Sequence, residues 1–304
     1  MRQPLIDEIA RELSQPVPLA VRALAEAICR RHDPGGVAVL FYGSCLRRPE
    51  DQLADGLLDF YLLVRDYPSA YRKSWLAFAN RLLPPNVFYM EIPWGGARIR
   101  AKYAVISIDD FAKACGAATR NVSIWARFSQ PARLAWTDEG AEGEGTRGRV
   151  AAACAEAVRT MIVNARPLAP GVKDAETIWI NALRATYAAE LRPESGDRAR
   201  QIFAADRARY ERLTELVLPT LPAAGSAGGN AQAEWRWRRR IGKFLNVARL
   251  IKASFTFDGG LDYVLWKVKR HSGVTLPVSD WQRRHPLLAA PLLAWRLYRR
   301  GAFR

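Results

Sequence analysis

Hydrophobic and polar positions follow two different periods in the first third of this chain. Apolar residues recur at helical spacing from Leu5 to Leu13 and again from Leu19 to Cys29, which predicts two amphipathic helices. Val37-Ala38-Val39-Leu40-Phe41-Tyr42 is a short unbroken apolar run that stops at Gly43, the pattern of a buried strand. Leu57 to Val64 predicts a second strand, interrupted by a carboxylate at Asp59. A loop with Arg47, Arg48, Pro49, Glu50 and Asp51 separates the two. Ala70 to Leu83 reads as helix, and Val87 to Ile92 and Tyr103 to Ile106 read as strands. Ser107 followed by Asp109 and Asp110 predicts a helix start, because a Ser oxygen accepts from orphan N–H groups and first-turn acids oppose the helix dipole.

Beyond this alternation the pattern becomes helical. Residues 138–148 are Gly-rich and acidic and are expected to form a domain boundary. Val150 to Leu218 predicts helices, with breaks near Pro167–Pro170 and Pro193–Gly196. Pro219 to Ala233 is rich in Pro, Ala, Gly and Ser, as in a linker. Three regions follow: 1–140, 149–222 and 234–304, with no internal repeat.

Charge changes the picture at the C-terminal end. The chain of 304 residues has a formal net charge of +16 and 49 % hydrophobic residues, so it folds and it suits a polyanionic partner. Residues 234–304 hold sixteen Lys/Arg against four Asp/Glu, and five of the ten Trp: Trp235, Trp237, Trp266, Trp281 and Trp295. Basic and apolar residues interleave there, as in the segment from Leu287 to Arg300. No apolar run approaches the roughly 18–20 residues that cross a bilayer, and the acid-containing N-terminus has no secretory h-region. Cys29, Cys45, Cys115 and Cys154 are far apart and not spaced with the three His as metal ligands, so isolated thiols in a reducing compartment are expected.

The chemistry centres on a strand ending in Tyr42-Gly43-Ser44 and on Asp59, fifteen residues after Ser44 on the next strand. Strand, Gly-Ser and a strand-borne carboxylate are the signature of polymerase-β-type nucleotidyltransferases. Glycine lets backbone approach a triphosphate. The Ser44 hydroxyl and nearby N–H groups donate to phosphate oxygens, and Asp59 holds Mg2+ against them. The general pattern has a second Asp two residues on, but Tyr61 stands there. Glu91, Asp55 and Asp109 are the acids that remain to complete a metal site, and Glu91, at the end of a strand, is the candidate second ligand. The fold class expected is α+β: a polymerase-β-like nucleotidyltransferase domain with a mixed sheet and flanking helices, then a mainly helical domain and a basic amphipathic C-terminal region.

The same departure at Tyr61 accompanies a resemblance. Tyr42-Gly43-Ser44 with Leu58-Asp59-Phe60, Lys102-Tyr103-Ala104-Val105, Trp125 to Pro131, and Thr186-Tyr187-Ala188-Ala189-Glu190-Leu191-Arg192 occur in order. Phe257-Asp258, Leu261 to Tyr263 and Lys269 to Gly273 follow. This set resembles the mitochondrial translocator assembly and maintenance family, the soluble-type phosphatidate cytidylyltransferases. Ala104, Ala126, Gln130 and Glu190 replace the family's Gly, Gly, Lys and Asp. The resemblance implies that CTP and phosphatidic acid give CDP-diacylglycerol and pyrophosphate, with Mg2+. It implies that Asp59 is the metal ligand and that Tyr42, Gly43, Ser44 and Arg192 line the nucleotide site. Lys102 and Arg127 are then the candidates for neutralising phosphate charge. An anionic membrane surface is the expected partner of the basic tail, on the cytosol-facing or matrix-type side, with no nucleic acid expected. Two other readings stand beside this one: transfer of a nucleotide to RNA or protein, and a catalytically degenerate binding module.

Overall fold

The computed structural model describes residues 2–190, 197–222, 228–256 and 276–284, with positions 289, 292, 293, 295, 296 and 299 beyond them. It is an α+β protein built on one mixed five-stranded sheet. The strands are β1 (Gly36–Tyr42), β2 (Leu58–Val64), β3 (Asn86–Trp94), β4 (Ala97–Ser107) and β5 (Ala132–Thr137), in the order β3-β4-β2-β1-β5. β2 and β4 are parallel and the other neighbouring pairs antiparallel.

Both faces of the sheet are covered, which is why β1 and β2 read as nearly continuous apolar runs rather than alternating ones. Along β2, Phe60, Leu62 and Val64 enter one core and Tyr61 and Leu63 the other. The smaller core lies under α2 (Leu19–Arg31), where Val21, Leu24 and Ile28 are buried. The larger core lies under α1 (Gln3–Leu13), α5 (Ile108–Cys115), α6 (Trp125–Phe128) and α7 (Gly140–Ala165). It continues into α8 (Ala175–Ala189) and α10 (Arg207–Val217) through Trp179 and Tyr210. The expected helix over Ala70–Leu83 is two pieces, α3 (Tyr67–Ala70) and α4 (Ser74–Leu82). Ser107 caps α5 as expected, its hydroxyl accepting from the Asp110 N–H at 3.1 Å.

Two expectations are corrected. Residues 138–148 are no linker: from Gly140 they are the opening turns of α7. One of their glycines has a packing reason, since a Cβ on Gly143 would lie 1.8 Å from the Asp138 carbonyl oxygen. The tail also contributes to the core. α11 (Gly228–Thr256) buries Trp235 against Trp125, and its indole N–H donates to the Asn164 carbonyl at 3.0 Å. α11 lies so close to the end of α8 that a Cβ on Gly242 would be 2.3 Å from the Ala189 carbonyl oxygen. The remaining described helices are α9 (Asp197–Ala205) and α12 (Asp280–Arg284). Among the described residues no helix is long and apolar enough to cross a membrane.

One buried base in the smaller core makes stability depend on pH. His32 is 5 % exposed; its Nδ1–H donates to the Ala70 carbonyl (2.9 Å), so Nε2 accepts from the Tyr103 hydroxyl (3.1 Å). Burial pushes its pKa down to about 4, against the pull of the Ala70 bond. The unfolded chain binds this proton near pH 6.5 and the native chain does not. His32 therefore contributes stability above pH 6.5 that is lost as pH falls through about 4, up to about 3 kcal/mol. We expect urea midpoints to fall over that window, and to fall less steeply in His32→Asn; parallel profiles for the two proteins would remove His32 from this role.

Candidate active site

Sheet register brings three polar side chains into one row. Tyr42 of β1 lies opposite Asp59 of β2, and Asp59 lies opposite Lys102 of β4. All three point to the face of the larger core, because Asp59 alternates with Phe60 and shares its side with Tyr61. Lys102 Nζ is 3.4 Å from an Asp59 carboxylate oxygen.

The chain turns sharply after β1. Gly43 has φ +91°, and a Cβ there would stand 3.2 Å from Asp59 Oδ2. A side chain at this position meets both a disfavoured backbone region and the carboxylate. Under the nucleotidyltransferase reading, Gly43→Ala should lower turnover about 100-fold while the melting temperature drops by only a few degrees. Unchanged turnover would show that the close approach has no role.

Above the row, α6 supplies Arg127. Its guanidinium donates to the Tyr61 hydroxyl (3.2 Å) and the Ser123 carbonyl (3.0 Å), and lies 3.9 Å from Glu190 at the end of α8. It also sits over the rings of Tyr42 and Tyr61, at 5.5 and 5.9 Å. Burial by itself lowers the pKa of Arg127, but Tyr42, Tyr61, Glu190 and Asp59 together raise it above the ordinary value, so the group stays charged. Tyr61, at the position of the pattern's second Asp, is thus a buried phenol that holds a cation.

These residues enclose a cavity of about 370 Å3, within the range of small-molecule sites. Gly43, Ser44, Asp59 and Lys102 lie on the sheet side, and Arg127 and Glu190 line it from the helices. Arg47 and Arg198 add two further cations, and Arg47 is ion-paired to Asp206. Four cationic side chains and two carboxylates line the cavity, and three of the cations are ion-paired: Lys102 with Asp59, Arg127 with Glu190 and Arg47 with Asp206. Segments widely separated along the chain meet here: 42–47, Asp59, Lys102, 126–131, 186–190 and 198–202 each contribute lining residues.

Other candidates lie elsewhere. Glu91 is not in the cavity wall; it is held by Arg98 (2.8 Å) and Arg100 (3.5 Å) and accepts from the Tyr89 hydroxyl (3.0 Å). Asp109 is bound to Arg149 at 2.5 Å, and Asp55 does not line the cavity. Arg192 and the segments 257–258, 261–263 and 269–273 fall outside the described residues. Glu190, Arg47 and Arg198 are wall residues that sequence reasoning did not place in the site. Glu190 stood within a quoted segment and Arg47 in the loop after Ser44, whereas Arg198 carried no local signal. Among the described residues no group of three or more His, Cys, Asp or Glu is placed to hold a metal ion. No protein-family model matches the chain, and no curated protein matches it.

Proposed function

We propose that this protein is a Mg2+-dependent nucleotidyltransferase with a polymerase-β-like catalytic domain, which makes CDP-diacylglycerol and pyrophosphate from CTP and phosphatidic acid at a membrane surface. The observation that carries the reading is the convergence of six separate segments on one cation-rich cavity that includes Asp59. In this reading a phosphate oxygen of the lipid attacks the α-phosphorus of CTP. The bond to the bridging oxygen of the β-phosphate breaks, and pyrophosphate leaves with the electron pair. Lys102 and Arg127 neutralise charge on the triphosphate, and the backbone at Gly43-Ser44 lies against it.

The donor set fits Mg2+ in its usual protein setting, where one or two carboxylates and substrate phosphates share the ion with water. Asp59 is the carboxylate that would hold it, with Glu190 the other acid in the cavity. When bound, such an ion stabilises the negative charge that develops during transfer. Lys102 must leave Asp59, 3.4 Å away, for the triphosphate.

Incubation with labelled CTP and Mg2+ should label phosphatidic acid and leave tRNA unlabelled; labelled tRNA with no lipid product would overturn the proposal. The pairing of Lys102 with Asp59 favours a second reading, a binding module without turnover. That reading requires CTP to bind equally well when Asp59 is replaced by Ala, with no product from either protein. Membrane association through the basic tail predicts that removing residues 279–304 weakens binding to phosphatidic-acid vesicles; undiminished co-sedimentation of the folded truncation would remove the tail from that role.

A further inference from the structure

Two helix faces outside the cavity carry bulky apolar side chains in solvent. On α4, Trp75, Phe78 and Leu82 follow one face, and Phe78 and Leu82 are 68 % and 74 % exposed. On α11, Trp237, Phe244, Val247 and Ile251 do the same, with Phe244 72 % exposed. The inner side of α4 accounts for its attachment, since Ala77 and Asn80 are buried. No core requirement explains its outer side.

α11 is tied to the segment that follows α4. Arg249 of α11 donates to the Pro84 carbonyl at 3.0 Å, and Lys252 donates to the Leu83 and Pro85 carbonyls. Leu82 immediately precedes the first of these acceptors and Ile251 immediately precedes Lys252. The ends of both apolar stripes therefore flank the same hydrogen-bonded contact.

Their borders are mainly basic, and the exposed acid Glu234, one turn before Trp237, is ion-paired to Arg238 (3.9 Å). Exposed Arg72, Lys73 and Arg81 border the α4 stripe, and exposed Arg236, Arg240 and Lys243 the α11 stripe. There is no Asp or Glu from residue 67 to 90 or from 235 to 257. Bulky apolar side chains and Trp, bordered mainly by cations, have the composition of a surface that inserts shallowly among anionic lipid headgroups. A protein partner driven by apolar burial alone gains nothing from a mainly cationic border, and an RNA partner, which stacks bases on Trp and Phe, gains nothing from exposed Leu, Val and Ile.

We infer that α4 and the outer face of α11 form a membrane-docking surface that seats this protein on an anionic bilayer. This deepens the lipid-substrate reading and rests on it only for the identity of the substrate. The test therefore uses phosphatidylglycerol/phosphatidylcholine vesicles, which contain no phosphatidic acid, and the full-length chain. The four native thiols are buried, so a cysteine at Phe78 (F78C) can be labelled selectively with an environment-sensitive fluorophore. Its emission should shift to the blue on vesicles containing phosphatidylglycerol and not on pure phosphatidylcholine. The same label on exposed Glu215 of α10 (E215C) should not respond. The double variant Phe78→Glu/Leu82→Glu should partition into the anionic vesicles about tenfold less than the wild type, with an unchanged circular dichroism spectrum. High salt should weaken wild-type binding.

An unshifted label at position 78 on vesicles that do bind the protein would overturn the inference. So would equal sedimentation of the folded double variant. A label that responds to polyuridylate but not to vesicles, or to self-association that the double variant abolishes, would assign the surface to RNA or to a second copy. Vesicle docking without CDP-lipid synthesis would leave this surface standing and defeat the enzyme reading; synthesis without docking through α4 would do the reverse.

Discussion

If the proposed reaction is this protein's, replacing Asp59 with Ala should lower the turnover of CTP and phosphatidic acid by about 1000-fold, or roughly 4 kcal/mol in transition-state stabilisation. The size follows from position. Asp59 is the only carboxylate in the Tyr42–Asp59–Lys102 row, and Tyr61 stands where a second would compensate. The fold should be nearly indifferent to the change. Asp59 and Lys102 are both partly exposed, and an exposed ion pair contributes between about 0 and 1 kcal/mol. Asp59→Asn keeps the shape and removes the charge, so it should be nearly as inactive as Asp59→Ala. Raising Mg2+ should recover more activity in Asn than in Ala if the amide oxygen still reaches the ion. Turnover within tenfold of the wild type in a folded Asp59→Ala protein would sink the metal-ligand role and the mechanism with it.

Arg127→Ala should damage both stability and chemistry. Its side chain and that of Glu190 are 19 % and 11 % exposed, so removing the cation takes a charged partner from a largely buried carboxylate and a cation from the faces of Tyr42 and Tyr61. Breaking such a pair costs about 3 kcal/mol, and loss of a fixed phosphate-binding fork should slow turnover about 100-fold or more. The two effects separate in a cycle. Arg127→Ala/Glu190→Ala also removes the acid that lost this partner, so urea midpoints should recover part of the loss while turnover does not. Arg127→Lys keeps the charge but not the fork; it should be better than Ala in stability and still impaired in turnover. If the double variant regained activity along with stability, Arg127 would be a packing residue rather than a phosphate ligand.

The strands were legible because of their surroundings. β1 and β2 are covered on both faces, and only such strands read as short unbroken apolar runs. β5 was not legible: Ala132–Thr137 places Arg133 within a mixed pattern at a sheet edge. The Gly-rich stretch before Val150 misled for a definite reason. Local propensity treats glycine as a breaker, while in α7 Gly143 makes room for the Asp138 carbonyl, a contact invisible along the chain. Trp235 likewise read as part of a lipid-facing tail, yet it is closed in against Trp125.

The site divides the same way. By itself the sequence determined the residue types and their local frames: a strand ending in Gly43-Ser44, a lone carboxylate at Asp59, and a surplus of cations. These are consequences of short-range order, set by side-chain period and by glycine's access to positive φ. Tertiary structure alone decided which charges share a cavity. Parallel pairing of β2 with β4 put Lys102 beside Asp59. The packing of α6 and α8 over the sheet put Arg127 against Tyr61 and Glu190. It also left Glu91, a plausible acid in sequence, bound to Arg98 and Arg100 outside the cavity wall. Coulomb interactions depend on distance in space, and register and helix packing set those distances.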